Sequence, residues 1–304
     1  MIKGLLNSSN CINFTKSKST NTNSVNRINE EESSLLNSND VLIRNNVKLI
    51  GQGSKTLFLA HGFGCDQNMW RFLTPELAKH FTIVLFDFVG SGASDISQYS
   101  SKRYGQLEGY AEDIIEICDA LQLSNAIFIG HSVSSIIGTI AGIKRPELFS
   151  KLIMVCPSPC FLNFPPEYFG GFDIEDLHEL LNLMDKNYIG WANYLAPLVM
   201  GTTNSDHFIG ELSGSFCSTD PVIAKNFAAA TFLSDYREIL KEIKQPVLIL
   251  QSENDALAAT SIGEFMASEI THNTLEVIPA DGHCLHMTHP EAIMSLIIEY
   301  AKKL

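Results

Sequence analysis

No stretch of the 304-residue sequence approaches the ~20 consecutive apolar residues that a membrane-spanning helix needs. Basic residues are scarce, 21 against 34 acidic ones. That balance repels phosphate backbones and argues against nucleic acid as a partner. There is no C-x-x-C pair, and the cysteine count is odd: 11, 65, 118, 156, 160, 217 and 284. Several of them stand inside apolar runs, as in "IMVCPSPCF". This usage excludes a disulfide framework and fits small core residues in a reducing compartment. Acidic residues are missing from positions 1–29, which carry Lys3, Lys16, Lys18 and Arg27. One arginine and little amphipathicity make a poor transit peptide, and "GLL" is too short for a secretory signal. Residues 1–39 are rich in Asn, Ser and Thr and lack apolar periodicity, so they read as a disordered tail. The reading is therefore a cytoplasmic protein, organellar only if that tail acts as a transit peptide.

From Asp40 the sequence becomes organised. Six apolar runs read as buried strands: "KTLFLA", "FTIVLFDF", "NAIFIG", "KLIMVC", "PVLILQS" and "NTLEVIPA". Helical patterns lie between them. In "LEGYAEDIIEICDALQL" apolar residues recur at 107, 110, 111, 114, 117, 118 and 121, with Asp and Glu on the other face. Alternating strands and helices predict an α/β fold: a mostly parallel sheet with helices on both faces. Between about 158 and 245 the alternation stops, and the segment reads as helical throughout. Four helical stretches inserted into a sheet protein predict a lid. The lid is rich in aromatic residues. Most of them are expected to form its own core. Phe161, Trp191, Phe216 and Phe232 are the candidates to line a pocket between lid and sheet.

The stretch "FIGHSVSSIIG" (128–138) nearly spells G-x-S-x-G, the sharp turn that exposes a nucleophilic serine. Ser134 replaces the second glycine. Helix and strand pass closely there, and serine is among the few residues small enough to substitute. The strand "NAIFIG" precedes Ser132 and the helix "SIIGTIAGI" follows it, as the motif requires. An acid and a base are then needed, in that order and late in the chain. Asp255 follows the strand "PVLILQSEN", and His283 follows "TLEVIPADG". All three residues fall after the C-terminal ends of strands, where α/β sheets carry their sites. Val133 and, in the glycine-rich loop "HGFG", Phe63 are placed to give the two N–H groups of an oxyanion hole. His283, Cys284, His286 and His289 are also metal-capable types. No partner ligand is recognisable elsewhere, and a zinc-bound His283 could not act as a base. The expectation is no metal and no cofactor. His131, His178, His207 and His272 have no motif context and read as structural or solvated.

Several segments, among them "HGFGCDQNMW", "GHSVSS", "NYIGWA", "FCSTDPVIAKNFA", "SDYREIL" and "GHCLHMTHP", resemble the RsbQ group of α/β-hydrolases. The same branch includes the strigolactone and karrikin receptors of plants. The resemblance covers about residues 40–304. The lid segment "FCSTDPVIAKNFA" is nearer the bacterial group, and the elbow "GHSVSS" is nearer the plant form. The resemblance implies an α/β-hydrolase fold with a four-helix lid. It implies Ser132, Asp255 and His283 as the triad, with Phe63 and Val133 shaping the oxyanion hole. It also implies a small hydrophobic ligand and a stress-signalling role beside a PAS-domain phosphatase. The function expected is slow hydrolysis of a small apolar ester or lactone. The alternatives are a general carboxylesterase and a ligand-binding receptor whose lid docks a protein. Since His283 must be neutral to take a proton, the rate of p-nitrophenyl acetate hydrolysis is expected to fall with acidification. A flat pH–rate profile down to pH ~4 would exclude His283 as the base.

Overall fold

The computed structural model describes residues 38–303. The expected disordered tail lies outside them, apart from Ser38 and Asn39, which open helix α1 (residues 38–44). The chain continues through β1 (Lys48–Ile50), β2 (Thr56–Ala60), α2 (Thr74–Leu77), β3 (Thr82–Leu85), α3 (Ser101–Tyr104), α4 (Leu107–Ala120), β4 (Ala126–His131), α5 (Val133–Lys144) and β5 (Phe149–Val155). A small antiparallel hairpin follows, β6 (Asn163–Phe164) with β7 (Tyr168–Phe169). The lid helices are α6 (Ile174–Lys186), α7 (Tyr188–Met200), α8 (Asp206–Ser218) and α9 (Pro221–Phe232). The sheet protein resumes with β8 (Val247–Asn254), α10 (Thr260–Glu269), β9 (Asn273–Asp281), α11 (Leu285–Thr288) and α12 (Pro290–Lys302).

Seven strands form one sheet in the order β1-β3-β2-β4-β5-β8-β9. All neighbours are parallel except the edge pair β1 and β3. Each central strand sends alternate residues to opposite faces. Leu57, Leu59, Ile127, Ile129, Ile153 and Val155 enter one core, together with α12 and the lid. Phe58, Phe128, Leu152 and Met154 enter the other, beneath α4 and α5. Both faces are buried, which explains why these strands read as continuous apolar runs.

Three features depart from the sequence reading. Strand β1 is three residues long and largely exposed, so it has no apolar run to betray it. The lid segment is not helical throughout, because the hairpin and loop occupy residues 160–173 before α6 starts. Asp113, assigned by periodicity to the polar face of α4, is buried. Its carboxylate accepts from the guanidinium groups of Arg44 and Arg103, from Asn45 Nδ2 and from the Tyr104 hydroxyl. These bonds tie the end of α1 to α3 and α4 and offset the desolvation of the charge. Among the described residues no helix is long and apolar enough to cross a membrane.

Candidate active site

The site is built on the turn between β4 and α5. At Gly130 a Cβ would come within 2.7 Å of the Ser134 carbonyl carbon and the Ser135 amide nitrogen. Strand and helix therefore cross at backbone distance, and the chain between them must reverse sharply. It does so at Ser132, with φ 56° and ψ −126°. Such a backbone costs on the order of 1–3 kcal/mol and persists only where the surroundings hold it. Here the Ser132 N–H donates to the Val155 carbonyl at 2.8 Å, and its own carbonyl accepts from the Ser135 N–H at 2.9 Å. The turn lifts the Ser132 side chain above the C-terminal edge of the sheet.

Strands β8 and β9 deliver the other two residues to the same edge. The Ser132 hydroxyl donates to His283 Nε2 at 2.7 Å. His283 Nδ1–H donates to Asp255 Oδ2 at 2.7 Å. The second Asp255 oxygen accepts the N–H groups of Leu257 at 2.8 Å and Ala258 at 3.0 Å. The carboxylate is thus oriented from both sides, and it fixes the tautomer that leaves Nε2 free to accept. Asp255 and His283 are buried. In this arrangement His283 is positioned to take the Ser132 proton, and Asp255 to stabilise the resulting imidazolium.

The HGFG loop is held by its own histidine. His61 Nε2 accepts the Phe88 N–H at 3.1 Å, and Nδ1 lies 2.9 Å from the Gly62 carbonyl. Burial lowers the pKa of His61 and keeps the ring neutral. The Ser134 hydroxyl donates to the His61 carbonyl. The residue that replaces the motif glycine therefore bonds the elbow to the loop carrying Phe63. Among the described residues no acceptor is bonded to the N–H of Phe63 or Val133.

Above Ser132 the lid closes an apolar pocket. Phe63, Phe161, Phe216 and Phe232 line it, with Leu195, Val199, Leu212 and Leu257. Trp191 does not line it. It stands one layer back, 5.0 Å from the Phe216 ring and 6.0 Å from that of Phe63. Of the other lid rings, Phe164 and Phe169 are exposed. The remaining cavity is about 20 Å³, room for about one water molecule. Thr231, overlooked in the sequence, also lines the pocket, and its buried hydroxyl has no partner. Only its position on α9 reveals it, since nothing distinguishes it from other helical threonines in the sequence. An open groove of about 590 Å³ adjoins the pocket between α6, α7 and the loop after Asp255. Leu195 and Leu257 line both spaces and separate them.

The lid is tied to the loop that carries His283. The His283 N–H donates to the Val199 carbonyl at 2.7 Å. Gly282, at φ 91°, has no room for a Cβ, which would come within 2.1 Å of the Met200 carbonyl oxygen. Asn204 Nδ2 donates to the carbonyls of Met200 and Asp281.

A parallel sheet, a strained serine turn and a hydrogen-bonded Ser–His–Asp chain at the strand ends define an α/β hydrolase architecture. Residues 55–290 match the alpha/beta hydrolase fold family, and the chain belongs to it. The karrikin insensitive 2 receptor CA of Petunia hybrida is 37% identical, over 84% of this chain and 94% of its own length. Strigolactone esterase D14 of Arabidopsis thaliana is 33% identical, over 86% of this chain and 98% of its own. The solved structure of a hydrolase from Oleispira antarctica is 58% identical and superposes with a TM-score of 0.87, covering 88% of this chain and 98% of that one.

Replacing Ser134 by Ala leaves the His61 carbonyl without its donor. Chemical denaturation is expected to show a loss of about 1–3 kcal/mol, together with slower ester hydrolysis. Unchanged stability in Ser134→Ala would remove this bond from the account of the elbow.

Proposed function

We propose that the protein is a serine hydrolase of small, apolar esters or lactones, with Ser132 as nucleophile. The observation that carries this reading is the pair of 2.7 Å contacts linking Ser132, His283 and Asp255. In the reaction Ser132 Oγ attacks the substrate carbonyl while its proton passes to His283 Nε2. The N–H groups of Phe63 and Val133 receive the negative charge that develops on the carbonyl oxygen. Collapse of the tetrahedral intermediate expels the alcohol, which takes the proton from His283 and leaves an acyl group on Ser132. Water then attacks the acyl carbon, with His283 again taking the proton. The acid departs, and Ser132 recovers its hydrogen.

The pocket restricts the substrate. Its wall is apolar and aromatic, and Thr231 supplies a hydroxyl for a second oxygen, such as a ring ether or an additional carbonyl. A reacting ester must move a lid ring to enter the 20 Å³ cavity, so turnover is slow. Its larger portion extends past Leu195 and Leu257 into the open groove. Lid movement also bears on the hydrogen bond between Val199 and His283, which links ligand admission to the catalytic loop. This coupling favours a second role as a ligand-responsive regulator, in which the lid meets a protein partner. The names of the plant relatives, a receptor and an esterase, support pairing the two roles. A stress-signalling setting with a PAS-domain phosphatase is carried by the resemblance to the RsbQ group.

Hydrolysis of p-nitrophenyl acetate by wild type and Ser132→Ala tests the chemistry. The variant is expected to lose roughly 10⁴-fold or more in rate, and equal rates in the two proteins would end the proposal. Thr231→Val is expected to leave p-nitrophenyl acetate turnover unchanged. For a lactone with a second acceptor oxygen it should raise KM roughly three- to tenfold, the value of one hydrogen bond. An equal effect on both substrates would deny Thr231 its role in selection.

A further inference from the structure

The loop carrying His283 also buries donor atoms that hydrolysis does not use. His131, Cys284 and His286 are all buried. One ring nitrogen of each imidazole and the Cys284 Sγ lie within 4.8 Å of one another. Both nitrogens of His286 and Nδ1 of His131 have no hydrogen-bond partner. Buried polar atoms are nearly always bonded, so three orphans in one cluster call for an occupant. His131 Nε2 lies 3.0 Å from the His283 carbonyl oxygen. That contact places its proton on Nε2 and leaves Nδ1 with an unshared lone pair. Gly62 keeps this nitrogen open, because a Cβ there would come within 2.4 Å of it.

We infer that His131, Cys284 and His286 form a binding site for a soft monovalent cation, the cuprous ion. Two imidazoles and one thiolate are a soft donor set, ill suited to magnesium or calcium, which take oxygen ligands. The charge selects the oxidation state. One thiolate cancels one positive charge, so a cuprous ion and its ligands are neutral together. A divalent ion would leave a net positive charge in the core, at a high desolvation cost. Asp255, the nearby buried carboxylate, is already engaged by His283. Before binding, burial holds the Cys284 thiol protonated and both imidazoles neutral. On binding, the S–H bond breaks, the Cu–S bond forms and the proton leaves to solvent, with no change of oxidation state. His131 and Cys284 line the Ser132 pocket, which gives the ion its way in. A bound ion would draw on the ring that contacts the His283 backbone and thereby slow hydrolysis.

The test uses the full chain with Cys11 and the exposed Cys217 changed to serine, titrated anaerobically with cuprous ion against the chelator bicinchoninate. About one copper per chain is expected to survive desalting, with a raised Tm. Cys284→Ala and His286→Phe should each lower retention by roughly tenfold or more, while His289→Ala should not. Absence of retained copper, or equal retention in Cys284→Ala, would mean that water fills the site and would overturn the inference. Tighter binding of Zn²⁺ than of cuprous ion would overturn the monovalent assignment. If either variant fails to fold, X-ray absorption of the loaded Cys11→Ser, Cys217→Ser chain decides. Two nitrogens and one sulfur around copper support the site, and any other donor set refutes it.

Discussion

Strand β4 and helix α5 cross so closely that no side chain fits at Gly130, and the site follows from this crossing. The residue between them must adopt φ 56°, which places its side chain at the strand end with nothing beyond it but the lid. The strain is held by bonds to β5 and to the first turn of α5. Ser134 satisfies the same constraint as the glycine it replaces and adds a donor for the His61 carbonyl. One substitution in a motif thereby couples the serine turn to the loop that bears Phe63.

The second organising contact is between the lid and His283. His283 is held by Asp255 on its ring and by Val199, at the end of α7, on its backbone. The aromatic residues of the lid gather around Phe63, which meets Trp191, Phe216, Phe227 and Phe232. Packing over the loop that bears Phe63 and positioning of His283 are therefore parts of one structure.

The fold was legible because parallel strands buried on both faces leave continuous apolar runs, as in β2, β3, β4, β5 and β8, while the half-exposed edge strand β9 keeps only a broken one. Strand β1 escaped because an exposed edge strand needs no such run. Asp113 escaped because periodicity records only the residue type, whereas its burial depends on Arg44 and Arg103 arriving from outside α4. The candidate site was legible where strand ends and residue order carry it, in Ser132, Asp255 and His283. The pocket was less so. Phe161, Phe216 and Phe232 line it, while Trp191 packs behind them, because the facing of an aromatic residue depends on how four helices settle together.

By itself the sequence determined the sheet, the helical insertion and the candidate nucleophile, acid and base. These depend on local periodicity and on turns that tolerate few residue types. Only the tertiary structure decided the distances among Ser132, His283 and Asp255, the bond from Ser134 to His61 and the nearly closed pocket. It also brought His131, the last residue of β4, beside Cys284 and His286 at the start of α11, far away in the chain. Such contacts join residues 28 apart for His283 and Asp255, 73 apart for Ser134 and His61, and 151 apart for Ser132 and His283. They arise from packing of the whole core, which no local pattern encodes.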